Sequence, residues 1–552
     1  MIKIALAQLN FHVANFDGNT ALITHSIEKA KKDGVDLVVF SELSVCGYPP
    51  LDLLELKDFN DKCQRSVELI ATLCTDIAAI VGSPSINPNP SGKKLYNSAF
   101  FLYNGKIQEI VNKALLPTYD IFDEYRYFEP CRDFKIIEFK GYRIALTICE
   151  DLWDDQPTDN PFGKATLYTC SPINELVKQK PDFMINIAAS PFSYNKETIK
   201  KRIFIEKAAR YSLPLFYVNQ VGANTELIFD GGSMVINAKG EVLSELSPFK
   251  DDYKIYDVDA IISDTYKPEF LPLKEDVQKI YEALVLGISD YFRKMGFSKA
   301  TLGLSGGIDS AVTLVLAVDA LGKDNVRVLL MPSQYSSDHS VFDALTLVEN
   351  LNIRFDVIPI HDIYHQFEST FRPLFAGLEP NVTEENIQAR IRGVMLMAVS
   401  NKFGHIVLNT SNKSETAVGY GTLYGDMNGG LSVIGDVYKT GVYELANFIN
   451  RHKEIIPLNT IIKPPSAELC LGQKDSDSLP EYDILDHILH CYIEDQLSSS
   501  EIVKLGFEKQ VVDSVVQMVN RNEYKRFQTP PILRISSKAF GIGRRVPIVA
   551  KY

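Results

Sequence analysis

Residues 302–311 read Leu-Gly-Leu-Ser-Gly-Gly-Ile-Asp-Ser-Ala, and the architecture of the second half of the chain turns on this string. An apolar run at 300–304 breaks on Ser305-Gly306-Gly307 and resumes as Asp-Ser-Ala-Val-Thr-Leu-Val-Leu-Ala. That pattern predicts strand, tight turn and helix start. The two glycines let the backbone turn sharply and approach a ligand closely. Asp309 and Ser310 fall where the first helical N–H groups have no intrahelical partner, a place that suits an anion. The common nucleotide loop Gly-x-x-x-x-Gly-Lys-Ser/Thr is absent from the chain, so the string is a different device.

The rest of the second half has one rhythm. Helices are expected at 276–295, 309–321, 338–350 and 384–402, and strands at 300–304, 326–331, 353–359 and 405–409. Such alternation predicts a parallel sheet with helices on both faces, whose ligands bind beyond the carboxyl ends of the strands. The first half has another rhythm. Strands at 96–103 and 106–113 flank Asn104-Gly105, strands at 134–139 and 142–149 flank Lys140-Gly141, and strands at 233–236 and 241–246 flank Ala238-Lys239-Gly240. These are hairpin signals. With helices expected at 19–32 and 196–211 they predict a mixed sheet layered with helices. The Pro-containing, aperiodic stretch 263–275 is the expected linker between domains at 1–262 and 276–552.

Composition bounds the function. A chain of 552 residues is too long for one core. Its net charge of −13 argues against nucleic acid as the main partner. No apolar stretch approaches the ~18 residues of a membrane span, and the N-terminus reads as a first strand rather than a signal peptide. The eight cysteines are scattered, without Cys-x-x-Cys spacing, which suits a reducing cytoplasm and offers no zinc site.

In a parallel sheet the strand at 405–409 ends on the same rim as Ser305–Ser310 and runs into Thr410-Ser411-Asn412-Lys413-Ser414-Glu415. Asp309 and Glu415 are then candidate oxygen ligands for Mg²⁺, and Lys413 a candidate for neutralising phosphate charge. Ser-Gly-Gly-x-Asp-Ser resembles the pyrophosphate loop of enzymes that cleave ATP between its α and β phosphates. Five segments resemble the NAD synthetase family: Leu-Ser-Gly-Gly-Ile-Asp-Ser (304–310), Glu-Asn-Ile-Gln-Ala-Arg-Ile-Arg (385–392), Asn-Thr-Ser-Asn-Lys-Ser-Glu (409–415), Gly-Asp-Met-Asn-Gly-Gly-Leu (425–431), and Pro-Pro-Ser-Ala-Glu-Leu with Gln-Lys-Asp-Ser-Asp-Ser-Leu-Pro (464–480). The resemblance implies a Rossmann-like parallel α/β domain of ATP-pyrophosphatase type. It implies that ATP and nicotinate adenine dinucleotide (deamido-NAD) form an acyl-adenylate that ammonia converts to NAD. ATP would be held by Gly303, Leu304, Ser305, Gly306, Gly307, Ile308, Asp309, Ser310 and Thr410. The dinucleotide would be held by Asn386, Glu415 and Lys525, and 464–480 would cover the reaction. Phe527 stands where the family has a further basic residue.

In the first half, three apolar strands end at Glu42, Lys113 and Cys149. With the strings Phe-Ser-Glu-Leu, Lys-Ala-Leu-Leu-Pro and Cys-Glu-Asp-Leu-Trp they resemble the Glu-Lys-Cys triad of the nitrilase family. The resemblance implies an αββα sandwich that releases ammonia from glutamine. The chemistry asks for these residue types. A thiolate is the better nucleophile and a nearby Lys⁺ lowers a thiol pKa. A carboxylate takes and returns the proton, and Lys113 with a backbone N–H stabilises the oxyanion. Tyr119, Glu124, Ser190 and Lys196 match positions that contact glutamine. The family further implies an enclosed ammonia path and an assembly of at least two copies.

Three rivals share parts of this pattern. Another ATP-pyrophosphatase amidotransferase with a different carboxylate or nucleotide acceptor keeps the loop, but GMP and asparagine synthetases carry other glutaminase domains, and a tRNA-thiolating enzyme favours a basic surface and paired cysteines. A plain amidase would not need Asn-Lys-Ser-Glu or the cover segment. A non-catalytic scaffold would not be expected to keep Cys149 and Asp309.

Overall fold

Alternation along the first strands builds the first unit. In Lys3–Gln8, Leu37–Val39 and Ala78–Ile86, Ile4, Leu6, Leu37, Val39, Ala78 and Ile80 face one core, while Ala5, Ala7, Val38, Ala79 and Val81 face another. Period-two alternation with both faces apolar describes a sheet covered on both sides. The computed structural model describes residues 2–155 and 167–551. The chain forms two compact units, Met1–Leu273 and Lys274–Tyr552.

In the first unit one six-stranded sheet has the order Asp252–Asp257, Lys3–Gln8, Leu37–Val39, Ala78–Ile86, Leu95–Tyr103, Lys106–Asn112. A second has the order Val242–Glu245, Met234–Ile236, Leu215–Asn219, Phe183–Ala188, Tyr142–Ile148, Ile137–Phe139. Their inner faces share one core, in which Ile4, Leu6 and Ile80 cluster with Leu146, Ile185 and Phe216. Helices Phe16–Lys32 and Lys57–Leu73 cover the outside of the first sheet through Ile23, Ile27, Val67 and Ile70. Pro172–Val177 and Lys196–Tyr211 pack on the second through Ile173, Leu176, Ile203 and Phe204. This is an αββα sandwich. The three expected hairpins form, the first with a register shift between Phe101 and Leu102. The strand expected from 134 begins only at Ile137. The third hairpin carries a bulge between Val235 and Ile236, which absorbs its three-residue turn.

The second unit is a five-stranded parallel sheet in the order Arg354–Val357, Val326–Leu330, Ala300–Gly303, Ile406–Asn409, Leu431–Ser432. The strand order reverses between Ala300–Gly303 and Ile406–Asn409, and ligands of such sheets bind at that switch point. Helices follow at Asp276–Met295, Ile308–Leu321, Asp338–Leu351 and Val382–Phe403. The last begins two residues before its expected start because Asn381 and Glu384 form a reciprocal cap. His361–Phe371, which the sequence reading left unassigned, is also helical. Beyond the sheet, Tyr482–Ile493 and Lys509–Arg521 pack with Ala417 and Val418 into a separate helical core. Among the described residues no helix is long and apolar enough to cross a membrane, and all eight cysteines are free.

Candidate active sites

In the first unit Glu42, Lys113 and Cys149 are brought together at the strand ends. Lys113 is fully buried, and its Nζ lies 2.7 Å from Glu42 Oε1. The same Nζ lies 2.9 and 2.8 Å from the two oxygens of Glu124. Glu124 therefore gives its carboxylate to Lys113, with Tyr48 OH donating to it at 3.0 Å. Burial works against the lysine's charge, but Glu124 and Glu42 hold its pKa well above the ordinary value. Burial pushes Glu124 up to about 7 although Lys113 pulls the other way.

Cys149 opens a short 3-10 turn, Cys149–Leu152, directly after its strand, with φ +45. That left-handed conformation is strained for a residue with a side chain and is a mark of functional turns. Lys113 pulls the thiol pKa down, as expected, but other causes outweigh it. Burial pushes the Cys149 thiol well above its usual value, Glu42 adds to the effect, and Lys113 only partly opposes it. Burial is the largest cause, and Lys113, itself facing Glu42 and Glu124, does not offset it. Burial and Glu42 both favour the thiol over the thiolate, so attack by this sulfur calls for a base.

Asp151 ties the two segments together. Its Oδ1 accepts from Ala114 N–H at 3.0 Å and Leu115 N–H at 2.9 Å, and its Oδ2 accepts from Ile148 N–H at 3.1 Å. Tyr119 OH donates to Glu150 at 2.9 Å. The Lys196 ammonium lies 5.6 Å from the ring centres of both Phe122 and Trp153. Ser190 is buried, its N–H donating to Asn219 Oδ1 at 2.8 Å. Asn97 was not singled out from the sequence, yet its Nδ2 donates to Glu42 Oε1 at 2.7 Å. Its signal was only its place opposite Lys113, whose N–H donates to the Asn97 carbonyl at 2.8 Å.

In the second unit a cavity of about 690 Å³ opens at the switch point of the sheet. Gly303, Leu304, Ser305, Gly307, Ile308, Asp309, Ser310 and Thr410 line it, as do Asn386, Glu415 and Lys525. Gly306 is the exception among the expected ATP positions. Its φ is +82, and a Cβ there would meet the Ser340 carbonyl at 2.1 Å, so it makes the turn rather than the wall. Ser305 Oγ accepts from Gly307 N–H at 3.2 Å and lies 3.1 Å from Ser310 Oγ, which closes the loop on itself. Asn386 accepts from Thr422 Oγ1 at 2.6 Å, and Lys525 donates to the Gly419 and Gly421 carbonyls at 2.7 and 2.9 Å. Phe527 is exposed and off the cavity wall.

The expectation that Lys413 serves phosphate is overturned. Its side chain is fully buried between Asp436 at 2.9 Å and Glu494 at 2.8 Å. The cation on the cavity wall is Lys439, whose Nζ lies 2.5 Å from Asp309 Oδ2 and 3.6 Å from Glu415 Oε1. Sequence reasoning missed it, although it follows the last parallel strand and so sits on the same rim. Asn412 Nδ2 holds Asp309 Oδ1 at 2.9 Å, while its Oδ1 caps the next helix at Glu415 N–H. Burial and then the neighbouring Asp309 push Glu415 up to about 8, against the pull of Lys439. The segment 464–480 lies against the cavity through Pro465, Ser466, Glu468, Leu469, Gln473 and Asp475. Glu468 is latched by Ser337 and Ser340 hydroxyls at 2.9 and 2.7 Å.

Known proteins carry the same pairing of halves. A carbon-nitrogen hydrolase family model matches residues 3–158, and an NAD synthase model matches 280–529. A glutamine-dependent NAD(+) synthetase of Synechocystis sp. is 44% identical over 100% of this chain and 99% of its own length. The chain belongs to the glutamine-dependent NAD(+) synthetase family. One from Thermotoga maritima is 39% identical over 100% of this chain and 99% of its own. The structure of glutamine-dependent NAD+ synthetase from Acinetobacter baumannii in complex with ADP matches with TM-score 0.78 and 40% identity, covering 99% of this chain and 98% of that one.

Proposed function

We propose the following division of labour for the glutamine-dependent NAD synthesis that family membership assigns to this ligase. In the first unit the Glu42 carboxylate takes the Cys149 thiol proton as the sulfur attacks the glutamine carboxamide carbon. Lys113 and a backbone N–H near Cys149 stabilise the oxyanion. The C–N bond breaks, Glu42 returns the proton to the leaving ammonia, and water then releases glutamate from the thioester by the same base. Tyr119, Ser190 and Lys196 hold the substrate. Glu124 acts through Lys113, which departs from its expected place in the glutamine pocket.

In the second unit the loop 303–310 and Thr410 hold ATP, while Asn386, Glu415 and Lys525 hold deamido-NAD. The nicotinate carboxylate attacks the α-phosphorus and pyrophosphate leaves, its charge met by Lys439. Ammonia then attacks the activated carbonyl and AMP departs, giving NAD. Segment 464–480 keeps water from the adenylate. The carboxylates of Asp309 and Glu415, both lining the cavity, supply the hard oxygen donors that Mg²⁺ takes. Bound there, Mg²⁺ would supply charge neutralisation on the triphosphate.

Ammonium is nearly all protonated at neutral pH and a poor nucleophile, so the ammonia is delivered through a channel shielded from bulk water, in an assembly of at least two copies. Eight unpaired cysteines fit a reducing cytoplasm. The observation that carries the reading is the buried Glu42–Lys113–Glu124 cluster beside Cys149, in one chain with the cavity at the pyrophosphate loop. With deamido-NAD, ATP and Mg²⁺, NAD should form with either glutamine or ammonium salts. Failure to form NAD with both sinks the reading.

A further inference from the structure

Glu42 has three hydrogen-bond donors, distributed unevenly. Oε1 accepts from Lys113 Nζ at 2.7 Å and from Asn97 Nδ2 at 2.7 Å. Oε2 accepts from the Ala189 N–H alone, at 2.9 Å. A carboxylate oxygen has room for about two such bonds, so Oε1 is full and Oε2 keeps a lone pair. Asn97 itself is fully buried, and its Oδ1 accepts no hydrogen bond among the described residues. Turning the amide over would satisfy nothing, since it would aim an acceptor at Glu42 and, 3.4 Å away, at Glu124 Oε2. A buried amide with an orphaned acceptor is a cost to stability, and its place beside two catalytic carboxylates says what it serves.

We propose that Asn97 is a positioning residue for glutamine cleavage: by filling Oε1 of Glu42 together with Lys113, it leaves Oε2 as the atom that takes the Cys149 proton. The inference rests on reading the first unit as a glutaminase. The charged and titratable groups facing Glu42 are Lys113, Glu124 and Cys149, with Tyr48 and Tyr217 behind them. Only one of them is a cation against two carboxylates. A neutral donor is therefore the means of stabilising a carboxylate there without creating a further ion.

The test is the pH profile of glutaminase kcat/KM, whose acid limb reports the free enzyme's base. Loss of one of three donors should move that limb upward by about one pH unit in Asn97→Leu. Asn97→Asp, which adds a third carboxylate, should move it further. Ammonium-supported NAD synthesis, measured on the same preparations, should keep its wild-type pH profile. If Asn97→Leu is insoluble, Asn97→Ser removes the amide without adding bulk and should show the same shift. An acid limb that stays at its wild-type pH in the soluble variants overturns the proposal, even if kcat falls at every pH. A wild-type protein that releases no ammonia from glutamine would instead overturn the glutaminase reading itself.

Discussion

The two sites set the same charges, one lysine against two carboxylates, in different surroundings: closed packing around Lys113, an open cavity wall around Lys439. Around Cys149 a fully buried lysine is paired with two carboxylates, and burial pushes the thiol pKa up. At the pyrophosphate loop Lys439 faces Asp309 at 2.5 Å and Glu415 at 3.6 Å on the wall of a cavity of about 690 Å³, and burial, then Asp309, push Glu415 up to about 8. The carboxamide that reacts is neutral, so the charges around Cys149 must be in place before glutamine arrives. ATP brings several negative charges, so its site is completed by the substrate and the cations it carries. Small, saturated and preorganised chemistry suits the first; an open rim suits the second.

The sharpest way to break this comparison is to remove one centre and watch the other. Cys149→Ala should lower glutamine-supported NAD synthesis by at least about 10⁴-fold, the scale of losing a nucleophile, and leave ammonium-supported synthesis within twofold of wild type. Asp309→Ala should do the reverse, abolishing NAD formation from either nitrogen source while glutamate release continues. Both are read by assaying NAD and glutamate on the same sample. Joint loss of both activities in a folded Cys149→Ala protein would mean that the halves do not divide the work.

A finer contrast lies within the second unit. Lys413 and Lys439 are each the first residue of a helix, Lys413–Val418 and Lys439–Asn450. Lys413 points into a buried pair of carboxylates, and Lys439 points onto the cavity wall. Lys413→Met should therefore leave Asp436 and Glu494 buried without a cation and destabilise the fold by about 3–5 kcal/mol, read as a lower denaturant midpoint, with activity retained in the folded fraction. Lys439→Met should cost about 10²-fold or more in synthesis from ammonium with a much smaller change in midpoint. Equal effects on midpoint from the two substitutions would erase the distinction.

That pair also marks how far the sequence could be read. The places of Glu42, Lys113, Cys149 and the 302–311 loop at strand ends were legible from apolar periodicity, while their roles were legible only through the resemblance of their local strings to the nitrilase and NAD synthetase families. Helix Asp276–Met295 and helix Lys196–Tyr211 were legible to the residue, since their apolar faces and polar flanks are local properties. The roles of Lys413, Lys439 and Glu124 were not. A lysine at the first turn of a helix on the correct rim can turn inward or outward. Which it does depends on Asp436 and Glu494, distant in the chain and invisible to a local pattern. Asn97 was hidden for a related reason: an Asn in a strand carries no chemistry until tertiary packing sets it against two carboxylates.

The smallest expected effect tests what holds the Cys149 thiol pKa up. Glu124 holds both its oxygens on Lys113, and burial pushes Glu124 itself up to about 7. If the two carboxylates cancel the lysine's field at the sulfur, Glu124→Gln should restore part of that field. The change removes one negative charge near both Lys113 and Cys149, so the thiolate is favoured and the thiol pKa should fall, by about one unit. The direction is opposite for Glu42→Gln only in consequence for catalysis: it also lowers the thiol pKa, but it takes away the base. The measurement is the pH dependence of Cys149 alkylation by iodoacetamide, whose rate follows the thiolate fraction. A downward shift in both variants, with glutamine turnover lost far more heavily in Glu42→Gln, separates the charge that tunes the nucleophile from the oxygen that deprotonates it. An unmoved alkylation curve in Glu124→Gln would mean that burial, and not the second carboxylate, holds the Cys149 thiol pKa up.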